Sequence, residues 1–170
     1  MTVDTLVPKG IDANLFREAM AAFAAQVTVV TCYDEAGDPC GMTASTVTSL
    51  SMDPPLLLVC VNRSSRSHYP LVNAPWFRVN LLAPGQEDLA HRFAGPWAQR
   101  FTGVPTLPGR APGLAGAAVM LTCTNYGVRA GGDHTILLGQ ITDVAFHGPA
   151  DAGAMVWHQR GFAHTSGAPA

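Results

Sequence analysis

Gly41-Met42-Thr43-Ala44-Ser45-Thr46-Val47-Thr48-Ser49-Leu50-Ser51, closed by Asp53-Pro54-Pro55, is the stretch on which the fold turns. Its alternation predicts one strand. Met42, Ala44, Thr46, Thr48 and Leu50 share one face; Thr43, Ser45, Val47, Ser49 and Ser51 share the other. A half-buried strand ordinarily sets large apolar residues against charged ones. Here hydroxyls and small side chains occupy both faces, and nothing from Gly41 to Met52 is charged. Small residues let a ligand approach the backbone, and hydroxyls both donate and accept hydrogen bonds. Such a wall suits a flat ligand rich in amide-like groups. An ordinary barrel strand has the same composition, since threonine favours strands on its own account. The neighbouring segments decide between the two.

Upstream, Asp12 is a candidate N-cap, and Leu15, Phe16, Ala19, Met20 and Phe23 recur at helical spacing to Gln26. Val27 to Tyr33 then turns β-branched, and Asp34 to Asp38 supplies turn chemistry, which predicts a hairpin with the central strand. Downstream, Leu56 to Val61 is apolar enough for a strand buried on both faces. Asn62-Arg63-Ser64-Ser65-Arg66-Ser67-His68 is the densest polar and basic segment, ahead of a short helix from Tyr69 to Asn73. A solvated loop and an anion site are both compatible with it.

Trp76 to Leu82 reads as a strand, Gln86 to Phe93 as a short helix, and Gly95 to Gly113 as a long ordered loop rich in Pro and Gly. Ala117–Val128 and Thr135–Phe146 are long strands joined through Gly131-Gly132-Asp133-His134. Met155 to His158 and Arg160 to Phe162 end the ordered chain. The expected architecture is mainly β: an antiparallel barrel with a few short helices. Residues 1–11 and 164–170 read as flexible tails around one domain, 12–163.

The bulk composition narrows the function. The chain has 170 residues, enough for one domain with a real core. Only 13% of them are charged, which points to an oligomer that buries apolar surface. A formal charge of −2 gives no electrostatic reason to bind nucleic acid or an anionic membrane. No apolar run approaches the roughly 20 residues that span a bilayer, and Met1 to Gly10 lacks signal-peptide order, so the expectation is cytoplasmic. Cys32, Cys40, Cys60 and Cys123 form no C-x-x-C pair, and they read as core filler with no metal site.

Four segments in order carry a family resemblance. They are Phe16 to Met20 leading into Val27 to Thr31; Gly41 to Ser45 through Ser49 to Pro55; Phe77-Arg78-Val79-Asn80-Leu81-Leu82; and Gly132-Asp133-His134-Thr135. Trp157-His158-Gln159-Arg160-Gly161-Phe162 matches the closing pattern more loosely. The chain resembles the flavin reductase-like, FMN-binding split-barrel family. Within it the resemblance is to the small NAD(P)H:flavin oxidoreductase components of two-component flavin-dependent monooxygenases.

The resemblance implies a homodimeric split barrel that binds FMN or FAD and takes electrons from NADH or NADPH for a partner monooxygenase. It implies that Thr43, Ala44, Ser45 and Thr46 line the isoalloxazine ring and that Ser49 and Ser51 continue toward the ribityl chain. Ser65, Arg66 and Ser67 would hold the phosphate, Asn80 would close the strand beside it, and His134 would meet the nicotinamide. Hydride transfer needs positioned rings more than a protein nucleophile, in keeping with the lack of a catalytic triad. No G-x-G-x-x-G fingerprint occurs, so the nicotinamide is not expected to bind through a Rossmann turn. A flavin-binding electron-transfer or storage protein is the alternative on the same barrel.

Overall fold

A computed structural model describes residues 10–147 and 153–165. Helix α1, Ala13–Ala21, opens where Asp12 Oδ1 accepts from the amides of Asn14 and Leu15 at 2.8 and 3.1 Å. It stops short of the expected Gln26, because Ala25–Gln26 is already an extended strand, β1. Its apolar spacing is real but turns outward: Leu15, Phe16, Met20 and the following Phe23 are 43–65% exposed.

Strands β2 (Thr28–Tyr33) and β3 (Pro39–Ala44) form the expected hairpin. Asp34 Oδ1 holds its turn by accepting from the amides of Ala36 and Asp38. The central stretch is two strands, not one. It breaks at Ser45-Thr46 and resumes as β4 (Val47–Met52), which pairs with β5 (Pro55–Asn62). A register shift between Ser49 and Ser51, opposite Leu57 and Leu56, leaves Leu50 as an extra residue and resets the alternation.

Helix α2 (His68–Asn73) follows, then β6 (Trp76–Leu81), α3 (Glu87–Ala94), a 3₁₀ turn at Trp97–Gln99 and the short pair β7 (Thr106–Leu107) and β8 (Gly113–Leu114). The long hairpin of β9 (Val119–Gly131) and β10 (His134–Phe146) turns through Gly132-Asp133, with Gly132 at φ +66°. That sign suits the first position of a II′ turn. Strands β11 (Met155–His158) and β12 (Gly161–His164) join β1 in a three-stranded sheet. The last strand runs one residue past the expected boundary at 163. The rest of the expected tails, 1–9 and 166–170, lies outside the described residues.

The main sheet has the order β3-β2-β6-β9-β10-β5-β4, antiparallel throughout. Its first and last strands are joined by two residues. Three Cα steps from Ala44 to Val47 span at most about 11 Å, so the sheet curls until its two outer strands come together at this corner, where the Cys60 amide donates to Thr46 O, while the rest of the β3 edge stays unpaired. This is the split barrel. Val30, Val59, Phe77 and Leu137 fill its interior, with Leu71 of α2 as a plug. Val27, Val29, Leu82, Phe93 and Met155 pack a second layer outside, under α3 and the small sheet. Gly139 is required by close packing: a Cβ there would overlap the buried Phe77 ring. Among the described residues no helix is long and apolar enough to cross a membrane.

Candidate functional site

The site begins at an unpaired strand edge. The Asp34 amide donates to Asp38 O, which makes Asp34–Asp38 a hydrogen-bonded pair; by alternation Cys32–Cys40, Val30–Met42 and Thr28–Ala44 follow. The backbone groups of Gly41 and Thr43 therefore point away from β2, off the open edge of the sheet. Gly41 shows this directly: its carbonyl accepts from Ser67 Oγ at 3.1 Å and from Arg100 Nη1 at 2.8 Å.

Thr43 of β3 and Ser45 just beyond its end line the same outer cleft, while Ala44 lies in the interior packing. Thr43 Oγ1 donates to Ala90 O at 2.6 Å, anchoring α3 over the strand. A cleft of about 240 Å³ opens there, lined by Thr43, Ser45, Val27, His91, Trp157 and Phe162 among others. The Trp157 and Phe162 rings meet edge to face at 4.9 Å, and Phe162 meets His91 the same way. Ser45 and Thr46 are the exposed corner between the two edges.

The turn from Asn62 to Ser67 lies along the same open edge. Asn62 Oδ1 accepts from the amide and hydroxyl of Ser64, and the Ser67 amide donates to Ser65 Oγ. Ser67 is buried, its hydroxyl committed to Gly41 and to Arg100 Nη1 at 2.8 Å. Arg66 is exposed. The turn also meets the second hairpin: the Arg63 amide donates to Asp133 O, and His134 lies opposite Asn62. His134 Nδ1 and Asp133 Oδ1 are 2.7 Å apart, with the imidazole 37% exposed, a contact that steadies the ring. The hydrogen bond from His134 holds the Asp133 carboxyl below the usual aspartate value.

The structure thus brings Thr43, Ser45 and Thr46 to one run of edge, and Ser65, Arg66, Ser67 and His134 to its other end. Ser49 and Ser51 do not join them. They pair near the Pro55 end of β5, while the Ser65–Ser67 turn follows Asn62 at the opposite end. Asn80 is a correction of another kind. It is fully buried, its Nδ2 donates to Val29 O and Thr31 Oγ1, and its Oδ1 accepts from the Leu114 amide. Its amide clamps β2, β6 and β8 and has no face left for a ligand.

Arg100, His91, Trp157 and Phe162 were not singled out as site residues by sequence reasoning. Trp157 and Phe162 stood in the loosely matching closing pattern. Nothing local marks Arg100, which reaches Gly41 from 59 positions away.

Residues 20–166 match the family model for the flavin reductase like domain. The chain is 40% identical over 133 residues to the stachydrine N-demethylase reductase subunit of Rhizobium meliloti, covering 77% of this chain and 58% of that one. It is 38% identical over 160 residues to the NADH:riboflavin 5'-phosphate oxidoreductase of Streptomyces pristinaespiralis, covering 88% and 86%. A solved structure, the NADH:FAD oxidoreductase of Streptomyces globisporus with NAD and FAD fragments, superposes with a TM-score of 0.84 at 34% identity, covering 94% and 98%. The chain spans about half the length of the two Rhizobium meliloti relatives it matches, 43% and 58%. An open-edged barrel whose outermost strand faces an aromatic cleft, with a serine turn beside it, is what the family model covers almost end to end: the chain belongs to the flavin reductase like domain family.

Proposed function

We propose that this chain, acting through residues 12–163, is an NAD(P)H-dependent flavin reductase that transfers hydride to FMN or FAD and supplies reduced flavin to a partner monooxygenase. One observation carries the proposal. The edge of β3 presents Thr43 and Ser45 to an aromatic cleft at one end and, at Gly41, receives the Ser67 turn at the other. From Gly41 to Thr43 is about 7 Å along a strand and to Ser45 about 13 Å, a spacing that suits a ring joined to a phosphate by a polyol.

The residues fit a flavin. The outward backbone of Thr43 and the hydroxyls near it offer donors and acceptors to the amide-like edge of the ring, and Trp157 and Phe162 offer apolar cover. Ser64, Ser65, Arg63 and Arg66 ring the exposed turn with donors for a phosphate. When bound, the flavin and the nicotinamide supply the hydride chemistry themselves. The chain's part is to align the two rings, to exclude water with the closing hairpin, and to hold amide donors where charge develops on the reduced ring. We assign the nicotinamide contact to His134, which Asp133 steadies and which pairs with Asn62 at the start of the Asn62–Ser67 turn.

The names of the relatives support NADH as donor, both FMN and FAD as acceptors, and service to an oxidising partner subunit. The exposed apolar face of α1 suits a homodimer contact. A cytoplasmic setting, where nicotinamide donors are regenerated, suits the reaction.

The test follows NADH consumption by the purified chain without flavin, with FMN and with FAD. Oxidation that scales with added flavin supports the proposal. A flavin-loaded protein with no NADH turnover under any condition would establish the electron-transfer or storage reading instead.

A further inference from the structure

We propose that Cys32 and Cys40 are a redox-modification site, which a peroxide converts from two thiols to a disulfide stapling β2 to β3. The proposal does not rest on the flavin reading. All four cysteines are free thiols, but only these two face each other: Cys32 and Cys40 are direct partners in the β2–β3 ladder, and residues directly opposite share a face. Theirs is a hydrogen-bonded position, where Cα atoms lie about 5.5 Å apart. A disulfide takes Cα separations of about 4.4–6.8 Å, so the Cα spacing of the pair lies within its range, and the two strands draw together locally to bring the Cβ atoms to bonding distance. Cys60 lies opposite Ile136, and Cys123 opposite Phe77 and Ile141.

The surroundings distinguish the two sulfurs. The Cys32 thiol opposite it and the nearby Arg100 charge favour the Cys40 thiolate and bring its pKa below the ordinary thiol value, against the opposing effect of burial. Cys32 keeps the shared proton and is raised. Burial alone pushes Cys123 up to about 12 and raises Cys60. Cys40 is therefore the attacking sulfur. It borders a cavity of about 360 Å³ that Arg100, Trp97 and Phe101 also line, roomy enough for a molecule little larger than water.

The Cys40 thiolate attacks one oxygen of hydrogen peroxide. The O–O bond breaks, the departing oxygen takes a proton and leaves as water, and Cys40 becomes a sulfenic acid. The Cys32 sulfur then attacks the Cys40 sulfur, the S–O bond breaks, and the hydroxide leaves with the Cys32 proton as a second water. Two thiols and one peroxide give one disulfide and two waters; each sulfur loses one electron. Arg100 loses the thiolate it faced while still holding Gly41 and Ser67, so the change is felt at the edge of β3.

The test treats the full chain with hydrogen peroxide, alkylates the remaining thiols in denaturant without reductant, and cleaves at acidic residues. Asp34, Glu35 and Asp38 separate Cys32 from Cys40, and Asp53 separates Cys40 from Cys60. The expected result is a Cys32 peptide linked to a Cys40 peptide, loss of those two alkylation sites alone, and their return after dithiothreitol. Alkylation of all four thiols after peroxide, a Cys40 sulfinic acid beside a free Cys32, or linkage to Cys60 or Cys123 would each overturn the proposal. In Cys32→Ser a dimedone-type probe is expected to label Cys40; labelling of Cys60 or Cys123 in its place counts against it. The first arm uses the unaltered chain, so its outcome does not depend on whether the variant folds.

Discussion

Arg100 donates through Nη1 to both Ser67 Oγ and the Gly41 carbonyl, each at 2.8 Å, while Nε and Nη2 return to Gly95 O. One side chain from the long loop thereby pins the serine turn to the open edge of β3. Arg100→Ala is expected to weaken flavin binding by roughly tenfold to a hundredfold, since a hydrogen bond to a charged group contributes about 1.5–3 kcal/mol. Arg100→Lys is expected to recover little, because an ammonium cannot span the same acceptors. Titration of flavin fluorescence checks both; unchanged affinity in the alanine variant would separate the clamp from the site.

Ser65→Ala combined with Arg66→Ala is expected to raise the dissociation constant for FMN by at least about tenfold through lost phosphate contacts. Riboflavin, which has no phosphate, should be little affected. An equal loss for both ligands would move the phosphate away from this turn.

His134→Ala is expected to raise the KM for NADH more than that for flavin, in steady-state assays varying each in turn. The same variant tests the Asp133 contact. The His134 hydrogen bond depresses the folded carboxyl pKa, so the contact is present at neutral pH and is lost as pH falls through that depressed value. Carbon NMR should show Asp133 titrating below the ordinary aspartate range, and back within it once His134 is removed. Both groups face solvent, so global stability should barely move.

Asn80→Ala is expected to destabilise the fold by about 2–4 kcal/mol, seen as a lower urea midpoint. It removes one acceptor and two donations in a fully buried place and strands the Leu114 amide. A midpoint within error of the parent chain would contradict the clamp.

For the homodimer proposed above, Leu15→Glu with Phe16→Glu is expected to lower the sedimenting mass to that of the monomer while leaving the barrel folded, because α1 buries none of its own residues. Dimers persisting at the lowest concentration measurable would clear α1 of the contact.

The hairpins were legible wherever turn chemistry is local. Asp34 to Asp38 and Gly132-Asp133 announce their reversals through residues that satisfy the turn themselves. The break at Ser45-Thr46 was not, because extended residues on both sides keep the same period and only the sheet's closure tells them apart. Asn80 entered the expected site through the family resemblance alone, because a motif match gives a residue's place in the chain and not the partners of its side chain. Its partners come from β2 and β8, invisible in one dimension. The α1 face was legible as apolar, whereas the direction it points depends on what surrounds the folded barrel.

The corner at Ser45 and Thr46 ties ligand affinity to folding free energy. It has its shape only while the first and last strands of the sheet lie together, so a molecule seated there recognises the closed form and not the unfolded chain. At a free concentration a hundredfold above its dissociation constant, such a ligand adds about 2.7 kcal/mol to stability. The melting temperature then rises with ligand concentration, and a protease that cuts only the opened chain spares the loaded protein and consumes the empty one.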